Sequence, residues 1–74
     1  MTTLNKLPIG YTGKVVSLVS VNKIKRRMLD LGFTLGTKVT ALFSSPSGDP
    51  IAYLVRGTII AIRNEDAAKI EIEI

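Results

Sequence analysis

The 74-residue chain contains no cysteine and no histidine. It therefore forms no disulfide, and it lacks the side chains that most often hold a structural zinc ion. It also lacks an apolar run long enough to span a bilayer as a helix. Packed aliphatic side chains must stabilise the fold, and the length allows one small domain over residues 1–74.

The same absences bear on chemistry. Without histidine or cysteine there is no imidazole base and no thiol nucleophile, and no pair of carboxylates is placed in an evident cleft. Only oxygen ligands remain for a metal ion, and such sites bind Fe(II) less selectively than sites with imidazole. The carboxylates are Asp30, Asp49, Glu65, Asp66, Glu71 and Glu73. We predict no enzyme, no cofactor and no dedicated metal site.

The N-terminal residues and the charge indicate the setting. The first ten residues have neither a long apolar core nor a small-residue cleavage site, so we predict no signal peptide and a cytoplasmic location. Ten Lys and Arg against six Asp and Glu give a net charge of +4. This balance favours nucleic acid or an acidic protein surface as the partner, without deciding between them.

Most of the chain has a hydrophobic period of two, which is typical of strands. In one segment Val39, Ala41 and Phe43 share the face that we expect to be buried. The segments with this pattern are 14–21, 38–43, 51–55, 58–63 and 70–74. The fold class is therefore predicted to be mainly β.

The connections between these strands carry turn residues. Ser44–Pro50 concentrates Ser, Pro, Gly and Asp, as a hairpin loop requires, and residues 56–57 fit a tighter hairpin. Asn64 is predicted to cap a short helical turn whose first residues, Glu65 and Asp66, suit a helix N-terminus.

One longer helix is predicted over Asn22–Leu31, with Asn22 or Ser20 as its N-cap. Ile24, Met28 and Leu31 form one apolar stripe along it. Leu29 lies about 100° around the helix from Met28. We therefore expect Leu29 to be exposed and to belong to a contact surface.

We predict that this helix ends at Gly32. Glycine readily adopts the left-handed conformation that closes a helix. Phe33, just beyond it, can fold back onto the last turn.

About five short strands, one inserted helix and a helical turn before the last strand predict a small SH3-like barrel. A five-stranded oligonucleotide-binding barrel is the alternative. Its helix normally lies between later strands, whereas the long helix here comes early.

Four segments of the chain resemble the ferrous iron transport protein A (FeoA) family. They are Arg-Arg-Met-Leu-Asp-Leu-Gly-Phe-Thr-Leu-Gly-Thr at 26–37, Pro-Ser-Gly-Asp-Pro-Ile at 46–51, Val-Arg-Gly at 55–57 and Ala-Ile-Arg at 61–63. The resemblance implies a small cytoplasmic SH3-like protein that supports bacterial ferrous iron uptake. It would be an accessory or regulatory protein that binds FeoB, a GTP-binding membrane transporter, and it would meet the membrane only through that partner.

The residues that we expect to bind the partner are Arg26, Arg27, Leu29 and Leu35. The charges would steer the helix toward an acidic surface, and the two leucines would supply buried contact area. The alternative for the arginines is a solvated helix face neutralised by Asp30.

Three other functions remain open at this point. One is a basic barrel that binds RNA, although we predict no nucleic-acid partner because the aromatic residues fall mostly at loop, helix-stop or core positions. Another is a protein that binds a transition metal. The third is weak self-association through the edge of the last strand, Ile70–Ile74, which Glu71 and Glu73 disfavour.

Overall fold

A computed structural model describes residues 1–18 and 22–74, with the side chains of all of these except residues 22–24. Its elements in chain order are β1 (Thr2–Thr3), a 3-10 helix (Leu4–Lys6), β2 (Thr12–Leu18), α1 (Asn22–Asp30), β3 (Lys38–Ser44), β4 (Ile51–Val55), β5 (Thr58–Ile62), α2 (Asn64–Ala67) and β6 (Ile70–Glu73). None of the helices in this description is long and apolar enough to cross a membrane.

The strands form one antiparallel sheet in the order β1-β6-β2-β3-β4-β5. Register shifts interrupt the pairing of β2 with β6 and of β3 with β4, and such bulges bend a sheet. A single cluster of buried side chains draws on β2 through β6, the 3-10 helix and both α-helices. The curved sheet therefore wraps one core, as the prediction of a small barrel requires.

The predicted strands agree closely with the observed ones. The first begins two residues earlier than expected, at Thr12, and its predicted residues 19–21 lie outside the described residues. The Ser20 cap and the Ile24 side chain, both predicted for the helix, are outside the description too. The fourth and fifth strands each end one residue earlier than predicted.

The helix end has the predicted geometry. Gly32 has φ +106°, and its N–H donates to the carbonyl of Leu29 at 3.0 Å. The N–H of Phe33 donates to the carbonyl of Met28, also at 3.0 Å. These two bonds define a Schellman motif, and Phe33 and Met28 are both buried in the core. This stop fixes the direction in which the chain leaves α1.

The prediction for Phe43 is wrong. The pairing of β3 with β4 shifts between Ala41 and Phe43, so Leu42 is the extra residue. Beyond such a bulge the alternation of faces is offset by one residue. Val39 and Ala41 are buried as expected, whereas Phe43 is 59% exposed on the outer face.

The predicted Asn64 cap is also wrong. Asn64 is already inside α2, and Arg63 precedes it without a side-chain cap bond. The N–H of Asn64 donates instead to Asp49 Oδ1 at 2.8 Å, and Asp49 also lies 3.8 Å from the Arg63 guanidinium. A carboxylate from the β3–β4 loop thus satisfies the first turn of α2.

The N-terminal segment contributes to the core without any prediction of it from the sequence. Leu4 and Leu7 are buried, and the hydroxyl of Tyr53 donates to the carbonyl of Leu4 at 3.3 Å. Burial raises the pKa of Tyr53 to about 12. This contact ties the 3-10 helix to β4.

Self-association through the edge of the last strand is not compatible with the topology. β6 is flanked by β1, where Thr2 faces Ile72, and by β2, where Val15 faces Ile72. Its backbone is therefore engaged on both sides. The free edges of the described sheet are β1 and β5.

Candidate protein-docking surface

A groove of about 310 Å³ lies between α1, β2 and the turn that follows α1. We call it the docking groove, and its lining residues are Val16, Ser17, Leu18, Lys25, Leu29 and Leu35. Two of the four residues predicted to bind a partner, Leu29 and Leu35, thus come together here from separate elements.

Leu29 reaches the groove because of its angle on the helix. Its neighbour Met28 points into the core and is 1% exposed, whereas Leu29 is 38% exposed. Successive residues of an α-helix point about 100° apart, so one turn can hold one leucine-sized side chain in the core and another outside it.

Leu35 lies in a turn that three backbone hydrogen bonds hold in place. The N–H of Thr37 donates to the carbonyl of Thr34 at 3.1 Å, and Gly36 has φ +86°, which this turn position requires. Two further bonds fix the turn to β2, from Gly36 N–H to the Val15 carbonyl at 2.8 Å and from Val15 N–H to the Thr37 carbonyl at 2.9 Å. Leu35 is 68% exposed at the tip, so a rigid support holds an apolar side chain in solvent.

Arg26 and Arg27 are exposed on α1 but do not line the groove. Lys25 is the cation at the groove itself. Among the described side chains an ion pair joins Arg63 to Asp49, and Asp30 forms no direct ion pair with Arg26 or Arg27. Lys25, Arg26 and Arg27 are therefore three successive exposed cations on α1, of which Lys25 lines the groove.

Sequence reasoning missed the wall that β2 supplies. Val16 and Leu18 are half-buried and line the groove, while Val15 points into the core. The pairing of β2 with β6 shifts between Val15 and Ser17, so Val16 is the extra residue of a bulge, and Leu18 packs against the edge of the core cluster. No local period in the sequence marks these two residues as walls of a groove beside α1.

The docking groove is mostly apolar, with one positive charge beside it. Aliphatic side chains and Ser17 form the walls, the Lys25 ammonium group stands beside them, and none of the described lining residues is a buried titratable group. Within residues 1–18 and 25–74, no three acidic side chains come close enough to hold a metal ion.

A small curved antiparallel sheet with an early helix defines an SH3-like fold. Residues 2–74 match the model of the FeoA domain, and the chain belongs to the FeoA family. The resemblance seen in the sequence and the predicted fold class are both confirmed. The family consists of small accessory transport proteins and not of enzymes.

Three relatives illustrate the match. An Fe(2+) transport protein A/Fe(2+) transporter FeoB fusion protein of Porphyromonas gingivalis is 32% identical over 96% of this chain, which spans only 8% of the fusion protein's length. The solution structure of FeoA from Chlorobium tepidum has 32% identity and a TM-score of 0.92, covering 99% of this chain and 70% of that one.

The third relative is the zinc-complexed FeoA of Stenotrophomonas maltophilia. It has 28% identity and a TM-score of 0.87, covering 99% of this chain and 91% of that one. Its description names a prokaryotic SH3 domain protein and a ferrous iron transport activating factor as its suggested role.

Proposed function

We propose that this protein is a cytoplasmic accessory protein of bacterial ferrous iron uptake that regulates a FeoB-type membrane transporter by binding to it. The observation that most supports this proposal is the docking groove, where Leu29 and Leu35 lie close together beside Lys25. The fusion of a transport protein A segment to FeoB in the Porphyromonas gingivalis relative supports the choice of partner, because fused domains work in one assembly.

In the proposed contact, apolar side chains provide the affinity and basic side chains speed the association. Leu29 and Leu35 enter apolar sites on the transporter, and their burial supplies most of the affinity. Lys25, Arg26 and Arg27 face acidic residues at the border of the contact and increase the rate of association. Binding is therefore expected to weaken with salt but to persist when the arginines are removed.

A pull-down of the detergent-extracted transporter by this chain tests the proposal. Leu29→Glu places a charge in the groove and should abolish capture. Leu54→Glu is the matched control, because Leu54 is 37% exposed, as Leu29 is 38%, but lies on β4 away from the groove. The control should capture the transporter as the natural chain does.

The arginines are tested in the same assay. The double variant Arg26→Ala, Arg27→Ala should reduce capture by several-fold at low salt and change it little at high salt, where charge is screened. No capture by the natural chain at low salt would contradict the proposal. Salt-dependent retention of generic oligonucleotides would then favour RNA binding, and retention of stoichiometric Fe(II) on desalting would favour a metal-binding protein.

A further inference from the structure

Arg56 has a backbone conformation that is unusual for its side chain. It is the first of the two residues that join β4 to β5, and it has φ +52°, while Gly57 beside it has φ +81°. A two-residue hairpin turn with both values positive favours asparagine, aspartate and glycine. Among the described residues, Arg56 is the one non-glycine residue with a positive φ. An arginine at this position is therefore less stable than an asparagine would be.

The side chain of Arg56 lies against the end of α1. A Cβ atom added to Gly32 would be 3.3 Å from Arg56 Cδ and 3.9 Å from Arg56 Cγ. The aliphatic part of Arg56 thus packs close to the Gly32 backbone, where a larger residue would crowd it. The N–H of Gly32 donates to the carbonyl of Leu29 at 3.0 Å. Arg56 therefore packs against the same helical turn that carries Leu29 into the docking groove.

Arg56 is exposed, and among the described side chains it forms no ion pair. Asp30 is the acidic residue of α1 and lies two positions before Gly32, but it does not pair with Arg56. Arg63, by contrast, has an ordinary φ of −63° and lies 3.8 Å from Asp49. Of these two arginines, the one with the strained backbone is the one without an acidic neighbour in the chain itself.

We propose that Arg56 is a further partner-binding residue, whose guanidinium binds a carboxylate of the transporter beside the segment that enters the docking groove. This inference rests on the proposed function. Backbone strain of this kind occurs where binding needs a side chain held in one place. A carboxylate is the expected acceptor because the planar guanidinium matches its two oxygens. Lys25, Arg26 and Arg27 are exposed cations on the adjacent helix, so an acidic surface complements both elements.

The test measures affinity for the detergent-solubilised transporter together with thermal stability. Arg56→Asn removes the guanidinium and introduces a residue that adopts the left-handed conformation readily. The midpoint of thermal unfolding should rise by about 2–5 °C, while binding weakens at least about tenfold. Arg63→Asn is the matched control, because it removes the same charge from an exposed arginine with an ordinary φ. It should bind as the natural chain does, without a gain in stability.

Arg56→Lys separates the shape of the guanidinium from its charge. Lysine keeps the positive charge and the strained conformation but lacks the planar fork that binds two oxygens at once. The thermal midpoint should change little, and binding should weaken several-fold. Full binding by Arg56→Lys would contradict recognition of a carboxylate by the fork.

Two further outcomes would overturn the inference. A fall in stability in Arg56→Asn would contradict the strain and would make Arg56 a structural support of the α1 exit. Unchanged binding by folded Arg56→Asn would contradict the inference alone, provided that Leu29→Glu still fails to bind. No binding by the natural chain would instead contradict the proposed function on which the inference rests.

Discussion

Met28 and Leu29 are neighbours on α1 with opposite environments. Met28 is 1% exposed and packs in the core with Phe33, while Leu29 is 38% exposed and lines the docking groove with Leu35. Both pairs use one residue of α1 and one residue that follows the Gly32 stop. The end of α1 therefore has two structural consequences. The Schellman motif buries Phe33 in the core, and it directs the following residues so that Leu35 reaches the docking groove.

Because Met28 is fully buried and Leu29 is partly exposed, Met28→Ala should have the largest effect on stability. Removing a buried methionine side chain leaves a cavity and should lower the free energy of unfolding by about 2–5 kcal/mol. Leu29→Ala should lower it by less than about 1 kcal/mol, since Leu29 is partly in water already. Urea denaturation of both variants measures the two losses in free energy of unfolding. Equal losses would contradict the assignment of Met28 to the core and of Leu29 to the surface.

Gly32→Ala should have the next largest effect. A left-handed residue with a Cβ costs about 1–2 kcal/mol. At Gly32 that Cβ would also meet Val55 Cγ1 and Arg56 Cδ at 3.3 Å. Gly36→Ala is the control, because Gly36 has φ +86° and nothing within 4 Å of the added atom.

Thermal unfolding of these two glycine variants separates the cost of the left-handed conformation from the cost of the close contacts made by the added Cβ. Gly36→Ala should lose only the conformational part, and Gly32→Ala should lose more. A greater loss at Gly36 would contradict the close packing of the α1 exit against the β4–β5 turn.

Tyr53→Phe should have a smaller effect that depends on pH. The lost hydrogen bond to the Leu4 carbonyl should cost about 0.5–1.5 kcal/mol at neutral pH. Burial raises the pKa of Tyr53 from 10.0 to about 12, so between these values the folded chain keeps a proton that the unfolded chain loses. Stability due to Tyr53 is present below pH 10 and declines as the pH rises toward 12.

The measurement is the difference in unfolding free energy between the natural chain and Tyr53→Phe across this pH range. The difference should shrink as the pH rises. A constant difference would indicate that the Tyr53 hydroxyl titrates alike in the folded and unfolded chains.

Leu29→Glu should have the smallest effect on stability. A glutamate at this partly exposed helix position is expected to lower the free energy of unfolding by less than about 1 kcal/mol. Leu54→Glu should behave alike, given its similar exposure. A large loss in Leu29→Glu alone would place Leu29 in the core and remove the basis of the docking groove.

Local signals in the sequence were sufficient for much of this structure. Gly32 and Phe33 define the helix end within a few residues, and the angle between Met28 and Leu29 follows from helix geometry. Leu35 was singled out as an apolar residue in a turn. These features depend on neighbouring residues, which is why the sequence could predict them.

The remaining features depend on residues far apart in the chain. The bulge that exposes Phe43 is set by the pairing of β3 with β4, and the acceptor for Asn64 is Asp49, fifteen positions earlier. Val16 and Leu18 become part of a groove only when α1 lies beside β2. No local period encodes such contacts, so the sequence predicted two leucines of the site but not its walls.

The most direct test of the account is the affinity of folded Leu29→Glu and Leu54→Glu for a detergent-solubilised FeoB-type transporter, compared with the natural chain. We predict that Leu29→Glu binds at least about tenfold more weakly and that Leu54→Glu binds equally well. Equal binding by both variants would contradict the assignment of the docking groove as the contact surface.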